Sequence, residues 1–272
     1  MRAFGLASAI SLALAACAAP PPEPAPGPRG GPPVRVVSLN LCTDELLLLL
    51  GTPAQIASVT HLAHKPEETP LWRKARRHRA NDGTLASAAA LRPDLVLTMG
   101  GGGDRLGIAA RLGVEAVDLP FPQSIDDVMA SIHTVAAALG REAEGTAAIA
   151  RIEALRRSAP EQSVDTLWVG GGGRTVAAEG LEAQWMALAG LRQRPVAGDR
   201  IELETLLVRP PAVLLRSDYR AEQYSQGQAW LNHPLARAAR DSRTIATDGR
   251  RWTCMGPPLV DEIVRLRGEV AA

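Results

Sequence analysis

Two histidines near the start of the chain have a spacing that could hold a metal ion. His61 and His64 are three residues apart, so a helical turn would place both imidazoles on one side. Pro66 disfavours a helix there, and no carboxylate follows at a suitable spacing. We therefore expect no metal site. The sequence also lacks the G-x-S-x-G, C-x-x-C and H-E-x-x-H motifs, so it does not indicate an enzyme.

Several arginines follow predicted strands, where open α/β sheets form their ligand sites. A guanidinium binds carboxylate or phosphate through two parallel hydrogen bonds, so the set favours an anionic ligand. The arginines are Arg105, Arg174, Arg216, Arg220 and Arg251. The aromatic residues in the same turns, which offer flat apolar contacts, are Phe121, Tyr219, Tyr224 and Trp252.

Two cysteines, Cys42 and Cys254, each lie beside a predicted strand end. The sequence leaves three alternatives open: a disulfide across a cleft, two free thiols, or contact with a ligand. A bridge requires a short Cα separation, and the sequence does not give that distance.

Glycine-rich turns follow one strand in each half of the chain, in "TMGGGGDR" and "WVGGGGRT". Neither turn has the G-x-G-x-x-G spacing and downstream acid of a dinucleotide site. Both lie at the carboxyl end of a strand, and this position predicts a cleft between two lobes.

The elements that would position these residues alternate between strands and helices. β-branched runs at residues 34–38, 56–60, 94–98 and 114–119 predict one parallel sheet covered by helices. Runs at residues 164–169, 212–215 and 243–247 predict a second parallel sheet. The fold class is therefore α/β, with two three-layer lobes and mainly parallel sheets.

A leucine-rich run, "LNLCTDELLLLLG", follows the first strand. Thr43 is the expected helix cap, and Asp44 and Glu45 would stand near the positive end of the helix dipole. The run is too short to cross a membrane, so it predicts a helix buried against the sheet.

Two helices are expected between the lobes. Ser124 and Asp127 suit a capping box at the start of the first. The second, starting after Gly140, is polar and about 25 Å long, which suits a rigid strut bridging the lobes. The predicted segments are 1–16 (signal peptide), 17–33 (tether), 34–123 (first lobe), 124–160 (helical segment) and 161–272 (second lobe).

The N-terminal segment has the features of a bacterial lipoprotein signal. Arg2 precedes a short apolar run at residues 4–14, and "LAAC" then places Cys17 where the thiol would be diacylated. Residues 17–33 are almost wholly proline, glycine and alanine, which is typical of an extended tether. The protein is thus expected on the periplasmic face of a bacterial membrane, held by lipid only. The formal net charge of +1 disfavours nucleic acid as a partner.

Several segments together resemble the substrate-binding proteins of ABC importers for ferric siderophores, haem and cobalamin. They are "RVVSLNLCTDELLLLLGTPAQIASVTHLA", "ALRPDLVLTMGG", "RLGVEAVDLP", "SIDDVMASIHTVAAALGREAEG", "IELETLLVRPPAVLL" and "RWTCMGPP". The resemblance covers Arg35 to the C-terminus. It implies two lobes bridged by one rigid helix, a metal chelate bound between them, and little closing motion.

The resemblance also implies the partners and the site residues. The partners are a small-molecule metal chelate and an ABC permease with its ATPase; the protein would be a monomer without a cofactor. The implied ligand contacts are Asn40, Leu41, Cys42, Thr43, His61, His64, Gly101, Gly102, Arg105, Arg174, Arg216, Tyr219, Arg251 and Trp252. Docking on the permease would use Glu204. The matching position in the first lobe is Ala86 where the family has a glutamate, so Asp82, Glu67 or Glu68 would have to substitute.

Two other functions remain alternatives at this point. One is a two-lobe periplasmic enzyme that acts on a nucleotide or sugar, and the other is an adaptor of the same fold without a transport role. The sequence does not distinguish siderophore, haem and cobalamin as ligands, nor inner from outer membrane.

Overall fold

The structure is a computed structural model that describes residues 31–101, 107–218 and 242–271. Within these ranges, no helix combines the length and the apolar character that crossing a bilayer would require.

The N-lobe, residues 34–123, contains a five-stranded parallel sheet. Its strand order is β3-β2-β1-β4-β5. The strands are β1 (Val36–Ser38), β2 (Ile56–Thr60), β3 (Arg79–Asn81), β4 (Leu95–Met99) and β5 (Glu115–Leu119). The helices are α1 (Leu41–Leu50), α2 (Trp72–Ala75), α3 (Leu85–Ala88) and α4 (Ile108–Arg111), with 3-10 turns at His61–His64 and Ala89–Leu91.

Helix α1 is the leucine-rich run, and it packs against β1, β2, β4 and α5. Every residue of α1 except Cys42 and Leu49 is buried, so the run is a core helix. The prediction that Thr43 caps this helix is wrong. Asn40 is the N-cap: its backbone is extended and its side chain accepts a hydrogen bond from the Cys42 N–H. The Thr43 hydroxyl lies inside the first turn, 2.8 Å from that of Ser38.

The C-lobe, residues 161–271, contains a four-stranded parallel sheet. Its strand order is β7-β6-β8-β9. The strands are β6 (Val164–Val169), β7 (Leu191–Gln193), β8 (Val213–Asp218) and β9 (Arg243–Asp248). The described helices are α7 (Leu181–Leu188), α8 (Leu203–Val208), α9 (Gly249–Cys254) and α10 (Leu259–Ala271), with a 3-10 turn at Gly171–Gly173. Two parallel α/β lobes are therefore present.

Helices α5 (Ile125–Leu139) and α6 (Glu142–Arg157) pack together and connect the lobes. The Ser124 hydroxyl caps α5 by accepting a hydrogen bond from the Asp127 N–H, as its sequence predicts. Gly140 reverses the chain between the helices, and its φ of 65° suits glycine.

Both connecting helices are fixed to both lobes. In the N-lobe, Gln55 donates to the Leu139 carbonyl and Arg141 donates to the Leu50 carbonyl. In the C-lobe, Gln184 accepts from the Ile125 N–H, and Arg267 donates to the Leu155 carbonyl.

A single buried hydrophobic cluster also crosses from lobe to lobe. It includes Leu47 and Leu97 of the N-lobe, Ile132 of α5, and Trp185 and Leu215 of the C-lobe. Because close-packed interiors resist deformation, the continuous core favours a nearly constant angle between the lobes.

Candidate ligand-binding cleft between the lobes

The carboxyl ends of the two sheets are joined by direct contacts between the lobes. Cys42 in the first turn of α1 and Cys254 at the end of α9 form a disulfide, with Cα atoms 5.1 Å apart. Arg250 of α9 also donates a hydrogen bond of 2.9 Å to the Pro66 carbonyl in the N-lobe. Of the three alternatives for the cysteines, the structure has the disulfide, which suits an oxidising compartment.

The turn between β1 and α1 is held by its own polar groups. Thr43 has no exposed surface and Leu41 is 8% exposed, so both side chains belong to the interior. Asn40 and Cys42 are half-buried, and the Asn40 side chain is used in the helix cap. Among these predicted contacts, Asn40 and the disulfide are the groups that face solvent.

The two histidines lie on different sides of the 3-10 turn after β2. His61 is exposed at the end of the strand. The His64 Nε2 atom is buried without a hydrogen-bond partner, and the imidazole is close enough to His78 to affect its pKa. In the described part of the chain, no three His, Cys, Asp or Glu residues form a group that could hold a metal ion.

An exposed aromatic ring lies at the carboxyl end of β5. Phe121 is 60% exposed and its ring covers Gly100. A Cβ atom at Gly100 would be 2.2 Å from the ring, so only glycine permits this arrangement. The next residue, Gly101, donates its N–H to Asp118. The turn thus presents a flat apolar surface beside backbone polar groups.

Two predicted arginines of the C-lobe, Arg174 and Arg216, have carboxylate partners within the protein. Arg174 pairs with Asp199 at 2.7 Å, and both side chains are 63% exposed. Arg216 binds Asp218 through Nε and Nη2. The Arg174 pair is exposed, and exposed ion pairs contribute little to stability, whereas Asp218 in the Arg216 pair is only 17% exposed.

Arg251 and Trp252 lie on helix α9, directly after β9. Arg251 donates a hydrogen bond of 2.5 Å to the Pro258 carbonyl and lies 3.6 Å from Asp248. Trp252 is 5% exposed, donates its indole N–H to the Thr247 hydroxyl and packs edge-on against Trp168. In this structure Trp252 is a core residue that supports the cleft wall.

Beside the disulfide there is a small cavity between the lobes. Its volume is about 20 Å³, and its lining includes Cys42, Glu45, Met99, Ser131 and Cys254. A cavity of this size holds no more than about one water molecule. A metal chelate would therefore have to lie over the outer turns of the cleft.

Two acids in the first turn of α1 are buried under this contact. Asp44 accepts hydrogen bonds from the Thr60 N–H and hydroxyl, and burial raises its pKa to about 7 despite these bonds. Burial likewise raises the pKa of Glu45 to about 7, although Thr69 donates to one of its oxygens and lowers it. The other oxygen, Oε2, is buried without a partner.

Some predicted residues lie outside the described part of the chain. They are Cys17, Gly102, Arg105, Tyr219, Arg220 and Tyr224. The structure also shows features that sequence reasoning did not find: the ring of Phe121 over Gly100, the acids paired with the arginines, and the burial of Glu45. Asp218 lies close to Arg216 in the sequence, and Asp248 lies close to Arg250. This short spacing was the sequence signal that could have indicated the two ion pairs.

Comparison with known proteins identifies the family. The sequence profile described as "Periplasmic binding protein" matches residues 36–240. The chain belongs to the periplasmic binding protein family. These are binding proteins, not enzymes, and their family places this chain in the periplasm. No curated protein matches the chain.

Solved structures of this family share the fold. The periplasmic vitamin B12 binding protein BtuF of Vibrio cholerae is 18% identical, covers 88% of this chain and 97% of its own, and has a TM-score of 0.63. The haem-binding protein RhuT from Roseiflexus sp. RS-1 is 23% identical, covers 86% and 96%, and has a TM-score of 0.66. The haem-binding protein HutB of Vibrio cholerae is 17% identical, covers 88% and 99%, and has a TM-score of 0.69.

Proposed function

We propose that this protein is a lipid-anchored binding protein that captures a metal chelate between its lobes and delivers it to an ABC permease. The observation that carries the proposal is the arrangement of the cleft. The carboxyl ends of two parallel sheets meet there, and a disulfide of 5.1 Å Cα separation joins them. Open α/β sheets place ligands at such ends, and a preformed site binds without a large ordering cost.

The chemistry of the turns favours a flat or bulky anionic ligand. Phe121 offers an exposed ring, while Arg174 and Arg216 offer guanidinium groups on the opposite lobe. Haem and ferric siderophores combine apolar surface with carboxylate or other anionic oxygens, and the fold neighbours include haem-binding and vitamin B12 binding proteins. We assign haem or a ferric siderophore as the preferred class, with cobalamin as the third candidate.

A titration of the full chain tests capture. Tryptophan fluorescence would be followed while haem, cyanocobalamin or a ferric siderophore is added, and we expect saturable quenching at micromolar concentration by one of them. Failure of all three classes to quench would contradict the proposal.

Phe121→Ala tests the aromatic contact. Loss of a stacking surface should weaken binding about tenfold. The matched control is Leu112→Ala, which also removes an exposed apolar side chain of the N-lobe but lies before β5 rather than after it. If both variants bound the ligand with equal affinity, Phe121 would not be a ligand contact.

Delivery to the permease is proposed to use Glu204, which is exposed in the first turn of α8. Leu207 and Val208, 38% and 86% exposed, continue this surface. The N-lobe position Ala86 is exposed, and Asp82 nearby is exposed and accepts from Thr84. Glu204→Arg should abolish uptake in cells and leave ligand affinity unchanged. Normal uptake by this variant would exclude docking through α8.

A further inference from the structure

Among the described residues, a concentration of unpaired positive charge lies on the N-lobe, away from the cleft. Residues 72–79, "WRKARRHR", form α2 and the start of β3. Lys74, Arg77 and Arg79 have no ion-pair partner among the described residues, and all three are exposed. The whole chain has a formal net charge of only +1, so this cluster does not reflect general basicity.

These side chains line a cavity of about 500 Å³. Its lining combines two kinds of side chain. The basic group consists of Lys74, Arg77, His78 and Arg79, and the apolar group consists of Leu48, Leu49, Pro53, Ile56 and Ala57. The volume is within the range of small-molecule sites, and the combination of basic and apolar lining suits an amphiphilic anion. A small inorganic anion would leave the apolar lining uncovered.

The groups around the cavity fit an anionic ligand. Lys74 donates to the Leu48 carbonyl at the end of α1, and this bond holds its ammonium at the rim. Burial lowers the pKa of His78, so the imidazole is neutral at pH 7 and the positive charge comes from the lysine and the arginines. Arg73 and Arg76 stack on the Trp72 ring at 4.2 and 4.8 Å from its centroid and extend the positive surface beyond the cavity.

The cavity lies at the amino-terminal edge of the N-lobe sheet. Its lining includes Ile56 and Arg79, the first residues of β2 and β3. The chain arrives from its N-terminal segment at this same edge, where the Pro33 carbonyl accepts a hydrogen bond from Gln55. The cleft is at the opposite, carboxyl-terminal edge.

We propose that this basic cavity binds the phosphate headgroup of an anionic phospholipid at a membrane surface. The guanidinium and ammonium groups would contact the phosphate, and the apolar lining would cover the beginning of the acyl chains. Bound in this way, the N-lobe stands on the membrane with its cleft turned away from it, so the protein would have to leave this site before its cleft could reach a permease. This second site goes beyond ligand capture and does not depend on it. A tether from Cys17 of the kind that its composition predicts would be long enough to permit this orientation.

Vesicle binding by the full chain tests the proposal. The Cys17→Ser variant would be used throughout, so that acylation cannot supply the attachment. Vesicles of phosphatidylcholine alone would be compared with vesicles containing about 30% phosphatidylglycerol, at about 0.05 M and about 0.5 M salt. We expect flotation with the phosphatidylglycerol vesicles at low salt only.

Charge variants locate the binding. Lys74→Ser with Arg77→Ser and Arg79→Ser should weaken vesicle binding about a hundredfold, since each basic residue near a membrane adds about fivefold. The matched control removes three exposed arginines from the C-lobe, by Arg192→Ser, Arg209→Ser and Arg243→Ser, and should leave binding near the parent level. Arg77→Lys with Arg79→Lys keeps the charge and should keep binding.

The outcomes separate a lipid from a soluble phosphate. Parent protein that binds inorganic phosphate in a calorimetric titration but does not float with vesicles would overturn the lipid assignment. Equal losses in the cavity and control variants would overturn the site itself. Haem, siderophore and cobalamin titrations of the same samples report on the cleft, so failure of ligand capture remains distinguishable from failure of this site.

Discussion

Each lobe buries a glutamate near the contact between the lobes, but the two carboxylates have different partners. Glu45 of the N-lobe is 2% exposed and accepts one hydrogen bond, from the Thr69 hydroxyl. Glu262 of the C-lobe is 5% exposed and accepts from Thr247 and from two nitrogens of Arg265. Among the described residues, the only hydrogen bond to the Glu45 carboxylate comes from a hydroxyl, although the charges of Asp44, Arg251 and Asp248 act on it, whereas the Glu262 carboxylate is bound directly by a guanidinium.

The pKa values of the two groups move in opposite directions for this reason. Burial raises the pKa of Glu45 to about 7, and the nearby charge of Asp44 adds to the rise. Burial would also raise the pKa of Glu262, but the hydrogen bonds from Arg265 and Thr247 and the charge of Arg265 lower it overall. Hydroxyl partners alone therefore do not offset the desolvation of a carboxylate, whereas a guanidinium does.

The largest expected effect comes from breaking the link between the two regions. Cys42→Ser with Cys254→Ser should lower the free energy of unfolding by about 2–5 kcal/mol, since a disulfide limits the unfolded chain. It should also admit water to the cavity and return the pKa of Glu45 toward its ordinary value. Denaturant unfolding measures the first effect, with Cys17→Ser alone as the control. An unchanged midpoint would show that the bridge does not restrain the lobes.

The two buried acids of the N-lobe should make the stability of the protein depend on pH. Folded-state pKa values of about 7 for Asp44 and Glu45, against ordinary values of 3.8 and 4.5, mean that the folded state binds more protons than the unfolded chain between these pH values. Their contribution is fully present below about pH 4 and is lost as the pH rises to about 7, by on the order of 3–4 kcal/mol for each group. Asp44→Asn with Glu45→Gln should flatten this slope in unfolding curves from about pH 4.5 to about pH 8. A slope retained in the double variant would assign it to other groups.

The smallest effect is expected from the C-lobe glutamate. Glu262→Gln removes the charge that Arg265 and Thr247 bind, so it should lower the free energy of unfolding at pH 7 by about 2 kcal/mol. Glu269→Gln removes the other carboxylate partner of Arg265, which is 42% exposed, and serves as the control. Since the pKa of Glu262 is lowered, its contribution should be lost only as the pH falls below about 4.5. If Glu262→Gln stabilised the protein at pH 7, the guanidinium would not offset the desolvation of the Glu262 carboxylate.

The sequence predicted the long elements and the two-lobe class because their periodicity is strong. It did not reveal β3 and β7, which are three-residue edge strands with little hydrophobic pattern. The helix cap was assigned to Thr43 because both Asn40 and Thr43 suit a cap, and only the backbone geometry separates them.

The candidate site was predictable in its position but not in its interactions. The turns after the strands were found from their glycines, arginines and cysteines. Burial of Asp44 and Glu45 depends on elements far away in sequence, since Ser131 of α5 and Cys254 of α9 line the same small cavity as Glu45. Acids in a first helical turn are usually exposed, so no local signal distinguishes these two.

Hydrogen–deuterium exchange of the full chain, with and without the chelate that quenches its fluorescence, tests the central claim most directly. A ligand held between the lobes should slow exchange at backbone amides in both, at residues 38–43 and 99–101 of the N-lobe and residues 170–174 and 216–218 of the C-lobe. Protection confined to one lobe, or found away from these turns, would contradict capture in the cleft.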